Sequence, residues 1–113
     1  MATNFSKKDM IKLQNLLRKS KKTITTAESC TGGLVASLIT KISGSSDIFN
    51  GSIVTYSNSI KNKELGVLNE SLDKFGAVSK QVVSEMLDGV LKKFEADFAI
   101  AISGIAGDRK SVV

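Results

Sequence analysis

The feature that most constrains the fold of this chain is a short β-branched run that ends in a turn rich in hydroxyl groups and glycine. Residues 23–27 have the composition of a short strand, and the turn Glu28-Ser29-Cys30-Thr31-Gly32-Gly33 follows directly. Residues 34–42 are apolar on most sides, which predicts a buried helix. A strand that ends at a helix N-terminus presents backbone N–H groups, which α/β proteins use to bind anions and to stabilise oxyanions. Taken alone, the segment favours a plainer role, since Ser and Thr are also ordinary helix-capping residues.

The rest of the chain alternates between helical and strand patterns. The first pattern predicts a helix from Ser6 to about Ser20, opened by a capping box between Ser6 and Asp9. The later patterns predict, in order, a strand over 48–56, helices over 58–66, 70–75 and 79–95, a strand over 98–102 and a glycine-rich turn over 103–107. This alternation is typical of a layered α/β domain. If the strands before the two glycine-rich turns are parallel neighbours, their carboxyl ends form one crevice for a ligand.

The composition limits the classes of function. At 113 residues the chain fits one domain, residues 1–113, and no repeat or linker divides it. It contains no histidine, which excludes Ser-His-Asp and Cys-His catalysis and histidine metal ligands. Its single cysteine, Cys30, excludes an intrachain disulfide and suits the cytoplasm. The apolar runs are too short to span a bilayer, so we expect no membrane contact.

The net charge of +5 is concentrated at the start of the chain. Residues 1–22, expected to form a basic N-terminal helix, carry one acidic side chain, Asp9, and seven basic ones: Lys7, Lys8, Lys12, Arg18, Lys19, Lys21 and Lys22. Such a helix can contact nucleic acid or anionic lipid. Only Phe5 among these residues could stack on a base, so we favour a solvated outer face.

Ser29 is the candidate nucleophile. Without histidine its proton acceptor has to be Lys, Asp, Glu or Tyr, and we take it to be a lysine kept neutral by burial or by neighbouring cations. Lys61 stands out because it follows a strand-to-helix step like the one that holds Ser29. Tyr56, at the end of that strand, could orient Lys61 or donate to a developing charge. Each residue also has a plainer interpretation. Lys61 would be a solvated surface lysine, Tyr56 an aromatic residue at the edge of the sheet, and Cys30 a small core residue.

Five stretches, in the same order, resemble the carboxy-terminal domain of the CinA family, the nicotinamide-nucleotide amidohydrolases. They are Thr26-Ala27-Glu28-Ser29-Cys30-Thr31-Gly32-Gly33, Gly44-Ser45-Ser46, Val54-Thr55-Tyr56-Ser57-Asn58 with Lys61 and Gly66-Val67, Gly76-Ala77-Val78-Ser79, and Ser103-Gly104-Ile105-Ala106-Gly107. The resemblance implies a three-layer α/β/α domain. It also implies hydrolysis of the carboxamide of nicotinamide mononucleotide to nicotinate mononucleotide and ammonia.

The resemblance assigns roles to individual residues. Ser29 would be the nucleophile, Lys61 its catalytic partner, and Tyr56 would lie beside them. The oxyanion and the substrate would be held by Cys30, Thr31, Gly32, Gly33, Ser46, Ser103, Gly104 and Gly107. The family implies no metal, no cofactor, a small pyridine nucleotide as partner, and a cytoplasmic place in pyridine-nucleotide recycling. We expect a homo-oligomer and rank nucleic acid last among partners.

The similarity ends after Gly107. Family members continue with a Pro, a glycine-rich loop, a Lys-Pro-Val-Gly step, a strand and a final helix, whereas residues 108–113 read as a divergent tail. We therefore expect a carboxy-terminally truncated domain that lacks the last strand and helix, which uncovers a sheet edge and a sheet face. Two alternatives to the hydrolase follow: an inactive module that binds nucleotide or protein, and below it an accessory protein for competence or DNA.

Overall fold

The computed structural model describes residues 5–105 and 109–112. The helices are α1 (Lys7–Ser20), α2 (Leu34–Thr40), α3 (Asn58–Leu65), α4 (Asn69–Phe75) and α5 (Lys80–Phe94), with a 3-10 turn at Ser45–Asp47. The strands are β1 (Ile24–Glu28), β2 (Ile53–Val54), β3 (Phe98–Ile105) and β4 (Arg109–Val112). Within these residues, none of the helices has the length and apolar character needed to cross a membrane.

The strands form one sheet in the order β2-β1-β3-β4. β1 pairs in parallel with both of its neighbours, with Ala27 opposite Ile53 and Thr26 opposite Ile100, and β4 runs antiparallel to β3. Parallel pairs need crossover connections, which helices provide here. The carboxyl ends of β1 and β3 therefore lie side by side, and the crevice predicted from the sequence forms at that edge.

Helices cover both faces of the sheet, which confirms the predicted three-layer α/β/α arrangement. On one face, α3, α4 and α5 enclose a core made of Ala27, Leu65, Val67, Leu72, Val82, Val83, Met86, Val90 and Ala101. On the other face, α1 and α2 enclose a second core made of Met10, Leu17, Ile24, Ile39 and Ile48. Successive strand residues point to opposite faces, so Ile24 and Ala27 of β1 belong to different cores.

The predicted signals at the helix ends are confirmed. The N–H of Asp9 donates to Ser6 Oγ at 3.1 Å, and the N–H of Ser6 donates to the Asp9 carboxylate at 3.0 Å, which completes the capping box. At the start of α5, the N–H of Val82 donates to Ser79 Oγ at 3.2 Å. Gly66 ends α3 with a φ of 72°, a conformation that favours glycine.

α2 is shorter and less buried than predicted. It ends at Thr40, and Leu34 and Leu38 are 56% and 45% exposed, whereas Ile39 is buried. The reason is that α1 covers only one side of α2, where Gln14 donates to the Ile39 carbonyl at 3.0 Å. The prediction of a buried helix, made from the apolar composition of residues 34–42, was therefore too strong.

β2 comprises two residues, where the sequence predicted a strand over 48–56. A side-chain hydrogen bond holds the residues before β2 against β1, since Thr25 Oγ1 donates to the Gly51 carbonyl at 2.6 Å. The Phe94 ring lies so close that a Cβ on Gly51 would stand 2.9 Å from it. This aromatic contact, together with the side-chain bond, replaces ladder pairing along that part of the segment.

β3 is longer than predicted. The strand continues through Ser103 and Gly104 to Ile105 because β4 pairs with it, with Ser103 opposite Ser111 and Gly104 opposite Lys110. The turn expected over 103–107 is therefore wrong for residues 103–105. Residues 109–112, expected in a divergent tail, form the edge strand of the sheet.

The basic residues of the first 22 positions form a solvated surface, as favoured from the sequence. Their six lysines are exposed. Arg18 is paired with Asp47 at 3.0 Å and donates to the Gly44 carbonyl at 3.1 Å, so it fixes the 3-10 turn onto α1.

Candidate active site

Ser29 and Lys61 meet at the carboxyl edge of the sheet. Ser29 directly follows β1, and its N–H donates to the Ile102 carbonyl of β3 at 3.0 Å. Lys61 lies on α3, and its Nζ donates to Ser29 Oγ at 3.1 Å. Both residues are buried, with exposures of 3% for Ser29 and 2% for Lys61. The fold thus brings together the two residues singled out from the sequence as nucleophile and base.

Burial governs the charge of Lys61. Desolvation lowers the pKa of its amine, because an ammonium ion in the interior loses its hydration, while nearby Cys30 raises that pKa by a smaller amount. Among the described residues, no acidic side chain forms an ion pair with Lys61. Its second hydrogen-bond partner is neutral, the Tyr56 carbonyl at 3.1 Å. The surroundings therefore shift the amine toward its neutral form, which is the form that a general base needs.

Tyr56 reaches Lys61 through its backbone and not through its phenol. Its carbonyl oxygen accepts the lysine hydrogen bond, whereas the residue as a whole is 70% exposed. The orienting role that the sequence suggested for the side chain thus belongs to a main-chain oxygen. The Tyr56 side chain is left to line the approach to Ser29.

The loop between β1 and α2 supplies free N–H groups beside Ser29. Gly32 and Gly33 have φ values of 63° and 102°, a region that glycine adopts without strain. The N–H of Gly32 donates to the Ser29 carbonyl at 3.1 Å. Across the described parts of the chain, the N–H groups of Cys30, Thr31 and Gly33 have no hydrogen-bond acceptor. These three groups are the unpaired donors of the loop that follows Ser29.

The N-terminus of α2 is occupied by a carboxylate of this chain. Glu28 Oε1 accepts from the Thr31 hydroxyl at 2.7 Å and the Val35 N–H at 2.9 Å, and Oε2 accepts from the Thr26 hydroxyl at 3.1 Å and the Ala36 N–H at 2.9 Å. Burial raises the pKa of Glu28, but the four hydrogen bonds outweigh it and hold that pKa below its ordinary value. Reasoning from the sequence missed this role and reserved the helix end for a ligand anion. The available signal was an acidic residue at the end of a buried strand.

A cavity of about 320 Å³ opens beside the Ser29–Lys61 pair. Its lining consists of Ser29, Tyr56, Asn58, Lys61, Gly76, Ala77, Val78 and Gly104. Gly104 was expected there. Ser103 is buried behind it, and its hydroxyl donates to the Ala77 carbonyl at 2.8 Å, which holds residues 76–78 in place. Asn58 and residues 76–78 were missed as lining residues, although both lie in stretches that carry the family resemblance.

Ser46 lies at the other end of β1. The neighbouring carbonyl of Ile48 accepts from the N–H of Ile24, the first residue of β1, whereas Ser29 follows the last. At about 3.3 Å per residue the strand separates these ends by roughly 13 Å. Ser46 is exposed and is not brought to Ser29 within this chain. Gly107, the remaining expected residue, lies outside the described residues.

A larger cavity lies elsewhere and lacks the elements of this chemistry. It measures about 710 Å³ between α3 and α5, and no serine or cysteine is among the residues that line it. In residues 5–105 and 109–112, no group of three or more His, Cys, Asp or Glu side chains could hold a metal ion. The smaller cavity combines the Ser29 hydroxyl and the buried Lys61 amine, which suits acyl transfer through a serine. The expected residues Cys30, Thr31, Gly32 and Gly33 follow Ser29 in the chain but are not among the described residues that line this cavity.

Comparison with known proteins identifies the family of this chain. The family model described as the CinA C-terminal domain matches residues 7–112. A CinA-like protein of Thermotoga neapolitana is 53% identical over 92 residues, which is 81% of this chain and 22% of the relative. A CinA-like protein of Prochlorococcus marinus is 60% identical over 91 residues, 80% of this chain and 22% of the relative. The chain thus spans about a fifth of the length of these curated relatives.

Solved structures give the same result for the fold. The competence/damage inducible protein CihA from Agrobacterium tumefaciens superposes with a TM-score of 0.88 at 38% identity, over 96% of this chain and 66% of that one. A competence-damaged protein (CinA) superfamily protein from Escherichia coli superposes with a TM-score of 0.87 at 27% identity, over 100% of this chain and 79% of that one. Because the family model covers nearly the whole chain and the solved structures share its fold, this chain belongs to the CinA C-terminal domain family.

Proposed function

We propose that this chain is an amidohydrolase that cleaves the carboxamide of nicotinamide mononucleotide to nicotinate mononucleotide and ammonia. The observation that carries the proposal is the 3.1 Å contact between Lys61 Nζ and Ser29 Oγ, made where both residues are buried. A serine held against a lysine whose pKa is lowered by burial is a nucleophile with a base at hand. The Ser29–Lys61 pair supports the reaction class, and the family resemblance supports the choice of substrate.

In the first half-reaction, the neutral Lys61 amine accepts the Ser29 hydroxyl proton across this contact. The Ser29 oxygen bonds to the carboxamide carbon, and the carbonyl oxygen becomes an oxyanion. The free N–H groups of Cys30, Thr31 and Gly33 are the donors for that charge. The protonated Lys61 then gives its proton to the leaving nitrogen, the C–N bond breaks and ammonia departs. An ester remains on Ser29.

In the second half-reaction, a water molecule hydrolyses the ester. Lys61, neutral again, accepts a proton from the water as its oxygen attacks the ester carbon. Collapse of the intermediate returns this proton to the Ser29 oxygen and releases the carboxylic acid. The same lysine thus acts as base and as acid in each half-reaction, which requires a pKa brought down toward the working pH. The Tyr56 carbonyl keeps the amine in place throughout.

The test is ammonia release from nicotinamide mononucleotide by the intact chain, with nicotinate mononucleotide measured by chromatography. Ser29→Ala and Lys61→Ala should each lower turnover by about 1,000-fold or more, because the two residues act as a unit. Lys63→Ala is the matched control, since Lys63 is an exposed lysine on the same helix. Its turnover should equal that of the wild type.

Two results would go against the proposal in different ways. Ammonia release that persists in both Ser29→Ala and Lys61→Ala rules out the Ser–Lys mechanism. A folded wild-type chain that binds the nucleotide and releases no ammonia would instead favour the alternative of a binding module without catalysis.

A further inference from the structure

Glu28 is a buried charged residue that the proposed reaction does not use. We propose that Glu28 is a positioning residue, whose carboxylate holds the loop between β1 and α2 in the shape that directs Ser29 at Lys61. The inference rests on the proposed function, because loop shape affects catalysis only if Ser29 is the nucleophile. Glu28 is not among the described residues that line the cavity, so it acts through the loop and not on the substrate.

One carboxylate ties three parts of the chain together. Its hydrogen bonds reach Thr26 within β1, Thr31 in the middle of the loop, and Val35 and Ala36 in the first turn of α2. The loop is thereby held at both ends and at its centre. Glu28 is fully buried, at 0% exposure. Its lowered pKa keeps it ionised at neutral pH, so each of these bonds is charge-assisted and stronger than a neutral one.

The loop has few other restraints. Gly32 and Gly33 add no side chains, and Gly33 occupies the N-cap position of α2 without a side-chain cap. Two backbone bonds lie within the loop, from the Gly32 N–H to the Ser29 carbonyl and from the Leu34 N–H to the Thr31 carbonyl. Among the described residues, the bond from Thr31 to Glu28 is the single side-chain hydrogen bond that reaches residues 30–33. Removal of this bond should therefore loosen the part of the loop that carries the free N–H groups.

Two isosteric variants separate positioning from stability. Thr31→Val and Thr26→Val each delete one hydroxyl bond to Glu28 and keep the β-branched shape. Thr26→Val is the matched control. The bond that it deletes joins Glu28 to another residue of β1, and backbone pairing with β2 and β3 already holds that strand in place. We expect kcat for the mononucleotide to fall roughly 10-fold to 100-fold in Thr31→Val with KM nearly unchanged, since misplacement of a catalytic group lowers kcat. Thr26→Val should keep the wild-type kcat.

Glu28→Gln is the stronger perturbation. Whichever carboxylate oxygen the amide nitrogen replaces, it faces one backbone N–H, of Val35 or of Ala36, which cannot rotate to accept a hydrogen bond. We expect kcat to fall further than in Thr31→Val. The threonine pair keeps the inference testable if Glu28→Gln does not fold.

Hydrogen–deuterium exchange of the peptide that spans residues 29–33 gives a readout independent of turnover. We expect faster exchange in Thr31→Val than in the wild type and in Thr26→Val. If Thr31→Val and Thr26→Val have the same exchange rate in residues 29–33 and the same kcat, the positioning role of Glu28 is overturned, even in an active enzyme. A wild type without turnover whose loop is loosened by Thr31→Val alone would overturn the proposed function and still support the control of the loop by Glu28.

Discussion

Gly89→Ala should weaken both the fold and the contact between Ser29 and Lys61, because α5 touches α3 at Gly89. A Cβ on Gly89 would stand 2.0 Å from the Leu65 carbonyl oxygen and 2.9 Å from the Leu65 Cα. Ordinary contacts begin at 3.4 Å, so the two helices would have to separate by about 1.4 Å, since packed interiors leave no free space to absorb the atom. α3 also carries Lys61. The contact at Gly89 therefore helps to set the position of the proposed base.

Two effects of the substitution oppose each other. Alanine is favoured over glycine in a helix by about 1 kcal/mol. Overpacking costs about 1–3 kcal/mol or more, and a backbone carbonyl cannot rotate away as a side chain can. Leu65, Met86 and Val90 belong to the core at this crossing and would lose packing together. Because the clash is with backbone, we take the cost of overpacking at the upper end of its range, about 3 kcal/mol. The net loss in the free energy of unfolding is then about 2 kcal/mol, and we expect kcat to fall by about tenfold or more.

Urea unfolding followed by far-ultraviolet circular dichroism measures the first effect, and ammonia release measures the second. Asp88→Ala is the matched control, because Asp88 is the exposed neighbour on α5 and gains helix propensity without a clash. It should be as stable as the wild type or slightly more so. A Gly89→Ala protein as stable as Asp88→Ala, with an unchanged kcat, would refute the view that this contact sets the spacing of α3 and α5.

Three further predictions concern single interactions. Ser6→Ala removes the capping box of α1 and should lower the free energy of unfolding, measured by urea denaturation, by about 1 kcal/mol. An unchanged midpoint of urea unfolding would show that the cap contributes nothing to stability. The pKa of Glu28 is lowered in the folded state, so its contribution is present above the unfolded carboxyl pKa and is lost as pH falls through the folded value. Acid titrations of stability should show this loss in the wild type and not in Glu28→Gln. The pKa of Lys61 is lowered from 10.5, so the unfolded chain binds more protons between the folded value and 10.5, and stability should rise with pH in that window. Lys61→Met should lack this rise, and an identical pH dependence in both proteins would contradict the burial of a titrating amine.

The parts of the fold that local chemistry determines were predictable from the sequence. Ser6 with Asp9, and Ser79, act through hydrogen bonds to residues three positions away, so their capping roles follow from spacing alone. The pairing of Ser29 with Lys61 is not local. The absence of histidine narrowed the choice of base, the strand-to-helix step before Lys61 drew attention to this lysine, and the family resemblance then assigned it the catalytic role. The strand order then accounts for how β1 and α3 bring the two side chains to one edge.

The features that were missed depend on how the chain packs in three dimensions. Glu28 turns back onto the helix that follows it, which depends on the path of a loop with two glycines at positive φ. Ser46 was placed with the site by motif order, but the ion pair between Arg18 and Asp47 holds its turn against α1, at the far end of the sheet. The extent of β3 depends on its pairing with β4, which the composition of residues 109–112 does not indicate.

The most direct test of whether Lys61 activates Ser29 is the pH dependence of Ser29 modification by a fluorophosphonate, a serine-directed reagent that requires no knowledge of the substrate. The rate is followed by intact mass and by mapping of the modified peptide. It should rise with pH through a midpoint below pH 10.5, where the buried amine loses its proton, and should level off above that midpoint. Lys61→Met should react far more slowly and without this midpoint, while Lys63→Ala should match the wild type. A rate that is independent of pH, or that is unchanged in Lys61→Met, would contradict the activation of Ser29 by Lys61.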